Sequence, residues 1–190
     1  MSSTPSDHEA QCVEEVFQRV AGDLSMIADM DLDIVEVQSE ILDYRAAGGG
    51  VIHIAFRLGF EVGGELRHGC LVVPLADAVT LACSLMMVSP DVIAESRKLD
   101  TLDPTSKDAM LEVGSFVGGA TDAAFRALDL PSKVSFEGCQ GVRADVRPAL
   151  IYHEGEALLT ARATVRLGEF GESTYLLLIP RAACTAGQLA

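Results

Sequence analysis

The chain has 190 residues, 49% of them hydrophobic, with no tryptophan and 5% aromatic residues, so it can bury one domain-sized core built from aliphatic side chains. Fourteen Lys and Arg against 28 Asp and Glu give a net charge of −14, which repels phosphate backbones and anionic lipid and argues against nucleic-acid or membrane partners. No apolar run reaches the roughly 18 residues of a membrane span, and MSSTPSDHEAQ lacks the basic and apolar parts of a secretory signal, so a cytoplasmic setting is expected.

Residues 1–7 read as a disordered lead, and 8–190 as a single domain. A helix pattern runs from about Asp7 to Met30, with Val13, Val16, Phe17, Val20, Leu24 and Ile27 on its apolar stripe and Ser6 or Asp7 as N-cap. Alternating strand patterns follow in LDIVEVQSEIL and in GGGVIHIAFRLGFEV. The triple glycine 48–50 between them reads as a hairpin turn, and Gly63-Gly64 as the next turn before RHGCLVVPL. Leu75 to Val88 is an apolar, buried helix stopped by Pro90, in which Met86 and Met87 read as core filler. A polar connection or short helix covers 91–106. A third helix spans about Thr105 to Leu128, and strand patterns return in SKVSFEG, GVRADVRPALIYHEG, EALLTARATVRLGEFG and ESTYLLLIP, with Gly155 and Gly171 at hairpins.

The order helix, strands, helix, connection, helix, strands reads as an internal duplication, with pseudo-repeats of about 8–90 and 105–190. At an offset of 97, Glu15 meets Glu112, Val16 meets Val113, Val20 meets Val117 and Gly22 meets Gly119. Arg57-Leu58-Gly59 resembles Arg166-Leu167-Gly168, and LVVP at 71–74 resembles LLIP at 177–180. The expected fold is one pseudo-twofold α+β domain: an antiparallel sheet with two long helices packed on it.

The third helix carries a polar stripe. Asp108, Glu112, Ser115 and Gly119 follow one another at steps of four, three and four residues, which places them on one face within about 60°. A carboxylate beside a hydroxyl can hold and orient a water molecule for attack on an electrophile supplied by another molecule. Gly119 removes a side chain and lets a partner backbone come close. The first helix repeats the arrangement with Glu15, Gln18 and Gly22. An ordinary solvated helix face with a packing glycine fits both stripes as well. Cys12, Cys70, Cys83, Cys139 and Cys184 are scattered without a CxxC pair and read as buried free thiols. The four histidines share no ligand spacing, so no metal site is expected, and no P-loop, GxSxG or GxGxxG precedes a helix.

The spacing Asp108-x3-Glu112-x2-Ser115-x3-Gly119 resembles the helix signature of the CheC/CheX/FliY chemotaxis phosphatases: Asp or Ser, x3-Glu, x2-Asn, x3-Gly, with a downstream strand proline. The flanking apolar helix, the polar connection and the duplication agree with that pattern over about residues 10–181. The resemblance implies a CheC/CheX-like fold and a partner that is the phosphorylated CheY-type response regulator. The family's Asn positions the attacking water, and its Glu contacts the regulator's basic residue. The protein needs no cofactor of its own, because the Mg2+ belongs to the receiver domain. Carried over, Glu112 and Glu15 match the acid, Ser115 and Gln18 stand at the Asn positions, Asp108, Gly119 and Gly22 face the partner, and Pro148 matches the strand proline. Neither half keeps the Asn. Two readings follow: an aspartyl-phosphate phosphatase using Glu112/Ser115, Glu15/Gln18 or both, and a binding or adaptor module that has kept the fold without catalysis. A third is a purely structural homodimer with no receiver partner, and an exposed sheet edge could pair two copies across a twofold axis.

Overall fold

The computed structural model describes residues 2–153 and 155–185. Helix α1 (Asp7–Ala28) starts from a complete capping box, in which Ser6 Oγ accepts from the Glu9 N–H at 3.3 Å and Glu9 Oε2 accepts from the Ser6 N–H at 2.8 Å. It ends at Asp29 in the left-handed conformation, φ 48°. Strands β2 (Leu32–Leu42), β3 (His53–Val62) and β4 (Glu65–Pro74) follow, then α2 (Leu75–Leu85), α3 (Pro90–Ser96) and a 3-10 turn at Pro104–Ser106. The second half holds α4 (Lys107–Ala127), β5 (Lys133–Val142), β6 (Leu158–Leu167), β7 (Glu172–Pro180) and α5 (Arg181–Thr185). Residues 186–190, assigned from sequence to the second repeat, lie outside the described residues.

With β1 at Ser2–Ser3, one seven-stranded sheet runs in the order β1-β2-β6-β7-β4-β3-β5, and every pairing in it is antiparallel. Exchanging β2 with β5, β3 with β6 and β4 with β7 reverses this order of six strands and returns the same sheet. The α+β fold is therefore pseudo-twofold, with its axis between β4 and β7. Each half lends its first strand to the other half's hairpin: β2 pairs with β6, and β5 pairs with β3. Residues 2 and 3, expected within a disordered lead, form β1 (Ser2–Ser3), which pairs with Ile41 and Leu42 at the end of β2.

The two long helices lie side by side on one sheet face. The buried apolar positions of α1, Cys12, Val13, Val16, Phe17, Val20, Ala21, Leu24 and Ala28, fall at an offset of 97 on buried positions of α4 from Ala109 to Phe125. The strand register differs. His53 faces Pro74 across one hairpin and Leu158 faces Pro180 across the other, an offset of 105 to 106. The structural counterpart of Arg57 is thus Arg162 and not Arg166, which sits at the hairpin end opposite Glu172. The similar Arg-Leu-Gly triplets are not equivalent positions.

The other sheet face carries a smaller core of Ala55, Cys70, Val72, Leu176 and Leu178, against which Ala46 and Leu150 pack from the crossovers 43–52 and 143–153. Neither glycine region there makes a hairpin, because β2 and β3, like β5 and β6, are not neighbours in the sheet. The 48–50 glycines instead let the chain cross low: a Cβ on Gly48 would stand 2.5 Å from the His53 ring. Pro148, expected in a strand, lies in the second crossover, where its carbonyl accepts from Arg45 Nη1 at 2.9 Å. Arg57 donates to the Glu137 carbonyl in β5 at 2.9 Å and Arg162 to the Ala47 carbonyl in the first crossover at 3.1 Å, so the equivalent arginines of the two halves hold different segments.

His53 is buried beneath the first crossover, and burial holds its imidazole below the usual histidine range, against a smaller opposing effect of the Val51 backbone and Asp145. A lowered folded-state value means that the unfolded chain takes the proton first. Stability from this group is therefore present above about pH 6.5 and declines below it. Denaturant midpoints should fall from pH 7 to pH 5.5, and His53→Gln should flatten that slope. Equal slopes for the two proteins would contradict the assignment.

Helix α2 ends at Leu85, so Met86 and Met87 are not core filler. Met87 turns left-handed at φ 58° and is 92% exposed, while the Val88 N–H closes back on the Cys83 carbonyl at 3.0 Å. Four of the five cysteines are buried thiols and Cys139 is half-buried.

Candidate functional site

Helix α4 presents the polar stripe because its opposite face is fixed to β5. Gly114 and Gly118 have no side chains, and Phe136 fills the space: a Cβ on Gly114 would lie 2.2 Å from the Phe136 ring, and one on Gly118 would lie 2.8 Å from the Phe136 Cβ. Met110, Val113, Val117 and Phe125 complete the buried face. The C-terminal end is tied down by Asp122, whose Oδ1 accepts from the Val134 N–H at 2.9 Å and whose Oδ2 pairs with Arg126 at 2.9 Å. The helix cannot roll without breaking these contacts, so its outer face is held in one orientation.

That face carries Asp108, Glu112, Ser115 and Gly119, all exposed. The structure brings these four sequence-derived residues together on one surface. No hydrogen bond or ion pair within the described residues holds the Glu112 carboxylate, which leaves it available to a partner's cation. Ser115 Oγ donates to the Leu111 carbonyl at 3.1 Å, the back-bond common for serine inside helices, so only its lone pairs remain for a water molecule. Around Gly119 an added Cβ would meet nothing within 4 Å, so the space is open to an incoming backbone. Asp108 in the first turn also suits the positive end of the helix dipole.

The corresponding face of α1 is built differently. Arg19 Nε lies 2.5 Å from Glu15 Oε1, and Gln18 Nε2 donates to Glu14 Oε1 at 3.0 Å. The acid and the carboxamide of the first half are thus each engaged along their own helix, although Gly22 is as open as Gly119. At the Arg19 position α4 has Phe116, which supplies no cation. Sequence spacing located both stripes, and side-chain geometry separates the free acid from the paired one. The i to i+4 spacing of Glu15 and Arg19 was the signal that could have revealed the difference.

The glycines of α4 make this division testable. Gly114→Ala drives a Cβ into Phe136 and should cost about 1–3 kcal/mol. Gly119→Ala enters open space and should gain up to about 1 kcal/mol from helix propensity. Urea titrations measure both, and equal effects at the two positions would contradict the division into a packed and an open face.

Among the described residues no group of three or more His, Cys, Asp or Glu is placed to hold a metal ion, and no helix is long and apolar enough to cross a membrane.

No protein-family model matches the sequence. No curated protein matches it either. Solved structures do match in three dimensions. FliY from Thermotoga maritima is 13% identical with a TM-score of 0.69, over 96% of this chain and 95% of that one. The FliM middle domain from H. pylori is 7% identical with a TM-score of 0.63, over 96% of this chain and 99% of that one. The chemotaxis protein CheX from Desulfovibrio desulfuricans is 13% identical with a TM-score of 0.54, over 88% of this chain and 99% of that one. The chain therefore has the fold shared by these CheX, FliY and FliM structures, as the helix signature implied.

Proposed function

We propose that this protein docks on a phosphorylated CheY-type receiver domain through the outer face of α4 and accelerates hydrolysis of its phospho-aspartate. The observation that carries this reading is the joint exposure of an unpaired Glu112, Ser115 and the open Gly119 on one fixed helix face. The fold, shared with CheX, supports it. Glu112 engages the receiver's basic residue beside the phosphoryl group, and Ser115 Oγ accepts a hydrogen bond from the attacking water. Water adds to phosphorus, the bond from phosphorus to the aspartyl oxygen breaks, and the products are the free carboxylate and inorganic phosphate. The divalent ion belongs to the receiver. This chain supplies position and charge, which are most of what such a transfer requires.

A second reading rests on Ser115. Its proton is committed to Leu111, and it lacks the amide that the resembling signature places there. Under this reading the face binds the receiver without hydrolysing it, as an adaptor. A protein–protein role is also in keeping with the FliM neighbour, which forms a complex with FliG. Following the decay of a phosphorylated receiver with and without the protein separates the two. Faster decay supports the phosphatase, saturable binding with unchanged decay supports the adaptor, and neither effect rejects both.

A further inference from the structure

Beyond the α4 face, the structure holds a groove of about 710 Å³ where the end of α1 meets the β6–β7 hairpin and the start of α3. Its walls are Met26, Met30, Pro90 and Phe170, and Gly22 opens it toward the outer face of α1. Met26 is 74% exposed, although nothing in the fold requires an apolar side chain there. Methionine and aromatic walls adapt to varied apolar partners.

The rim is acidic, and the cation that packs on one of the walls, Arg97 over the Phe170 ring, is paired with Asp77. Asp29, Asp31 and Glu169 line it, all exposed, and no hydrogen bond or ion pair to their carboxylates exists within the described residues. The carbonyl end of the 22-residue α1 adds negative potential, and its last turn carries no basic residue. The other half provides an internal comparison. Helix α4 ends at Ala127 with Leu128 as its cap and the left-handed Asp129 one residue further on, and its last turn carries Arg126 paired with Asp122. The fold thus accommodates a compensated helix end in one half, and the first half leaves its charge open beside an apolar groove.

We infer that this groove is a docking surface for a basic amphipathic segment of a partner protein, whose apolar face lies on Met26, Met30 and Phe170 while its Lys or Arg side chains meet Asp29, Asp31 and Glu169. Charge complementarity selects this occupant: an acidic or neutral segment would leave the carboxylates facing like charge or bare hydrocarbon. The inference is independent of the receiver reading.

The test uses the full chain and a fluorescent, short amphipathic Leu/Lys peptide, with its Leu/Glu counterpart as control. The Leu/Lys peptide should bind saturably and more weakly at higher salt, and the Leu/Glu peptide should not bind. Met26→Lys and Glu169→Lys, both on exposed positions, should each weaken binding at least about tenfold. Glu61→Lys, an equal charge change on β3 three strands from β6, and Glu112→Ala should leave it within about twofold. An equal loss with Glu61→Lys would show attraction to net charge alone and overturn the inference. Absence of saturable binding would overturn it too, as would a dimer of this chain that disappears with Met26→Lys, because a second copy would then be the occupant.

Discussion

Asp77→Ala should lower the unfolding free energy by about 3–5 kcal/mol, the usual penalty for leaving one member of a buried ion pair without its partner. Asp77 lies at the start of α2 and is only 3% exposed. Its Oδ1 accepts from Arg97 Nη1 at 3.0 Å, and its Oδ2 accepts from Ser173 Oγ at 2.5 Å. Arg97 closes the arrangement by donating to Thr80 Oγ1 at 2.5 Å and the Ala76 carbonyl at 3.2 Å, with its guanidinium 4.2 Å from the Phe170 ring centre. Burial, reinforced by the Asp77 charge, also holds the Tyr175 phenol well above its ordinary value. One carboxylate therefore joins α2, the residue after α3, and β7. Against the roughly 5–15 kcal/mol that holds a typical domain, its loss brings the protein close to unfolding. Urea titration measures the change. Arg97→Ala added to Asp77→Ala should cost less than the sum of the single changes, because the orphaned guanidinium is removed. A loss below about 1 kcal/mol for Asp77→Ala would contradict the account.

The largest functional effect is expected at Glu112. Glu112→Ala should reduce acceleration of receiver dephosphorylation at least about tenfold, since truncating one partner of a desolvated charge pair commonly costs more than 1.4 kcal/mol. Glu15→Ala should change it less than about threefold. The Glu15–Arg19 pair is worth only a few tenths of a kcal/mol, too little to lock the acid away. Its consequence is local charge: the Arg19 guanidinium stays beside the acid and opposes a second cation from the receiver. Ser115→Asn should act in the opposite direction, because a carboxamide supplies a donor that the Ser115 hydroxyl spends on Leu111. Initial rates on a phosphorylated receiver measure all three variants. A larger loss with Glu15→Ala than with Glu112→Ala would move the site to α1.

Much of this was legible in the sequence. The periodicity of α1 and α4 and the offset of 97 between the helices follow from which positions are apolar, and burial reproduces them, while strand β2 occupies 32–42 as its pattern indicates but a bulge between Ile34 and Glu36 leaves Val35 exposed. Strand exchange was not legible. Alternation shows which face a residue takes but not which strand lies beside it, so the 48–50 glycines read as a turn where the chain instead crosses over His53. Met86-Met87 misled for a related reason: apolar continuity does not show where a helix closes its last turn. At the site, spacing set the stripe of Asp108, Glu112, Ser115 and Gly119. The different states of Glu112 and Glu15 depend on whether a neighbouring guanidinium is in reach, which the i to i+4 spacing of Glu15 and Arg19 allows and the side-chain positions show.

The most direct test of the central claim is a residue-level footprint. Backbone amide NMR signals of the full chain should be followed while a receiver domain carrying a stable aspartyl-phosphate mimic is added. The account predicts perturbation concentrated at Asp108 to Gly119 on the outer face of α4, and weaker or absent without the mimic. Saturable binding that leaves those signals unmoved, or no binding at all, would contradict it.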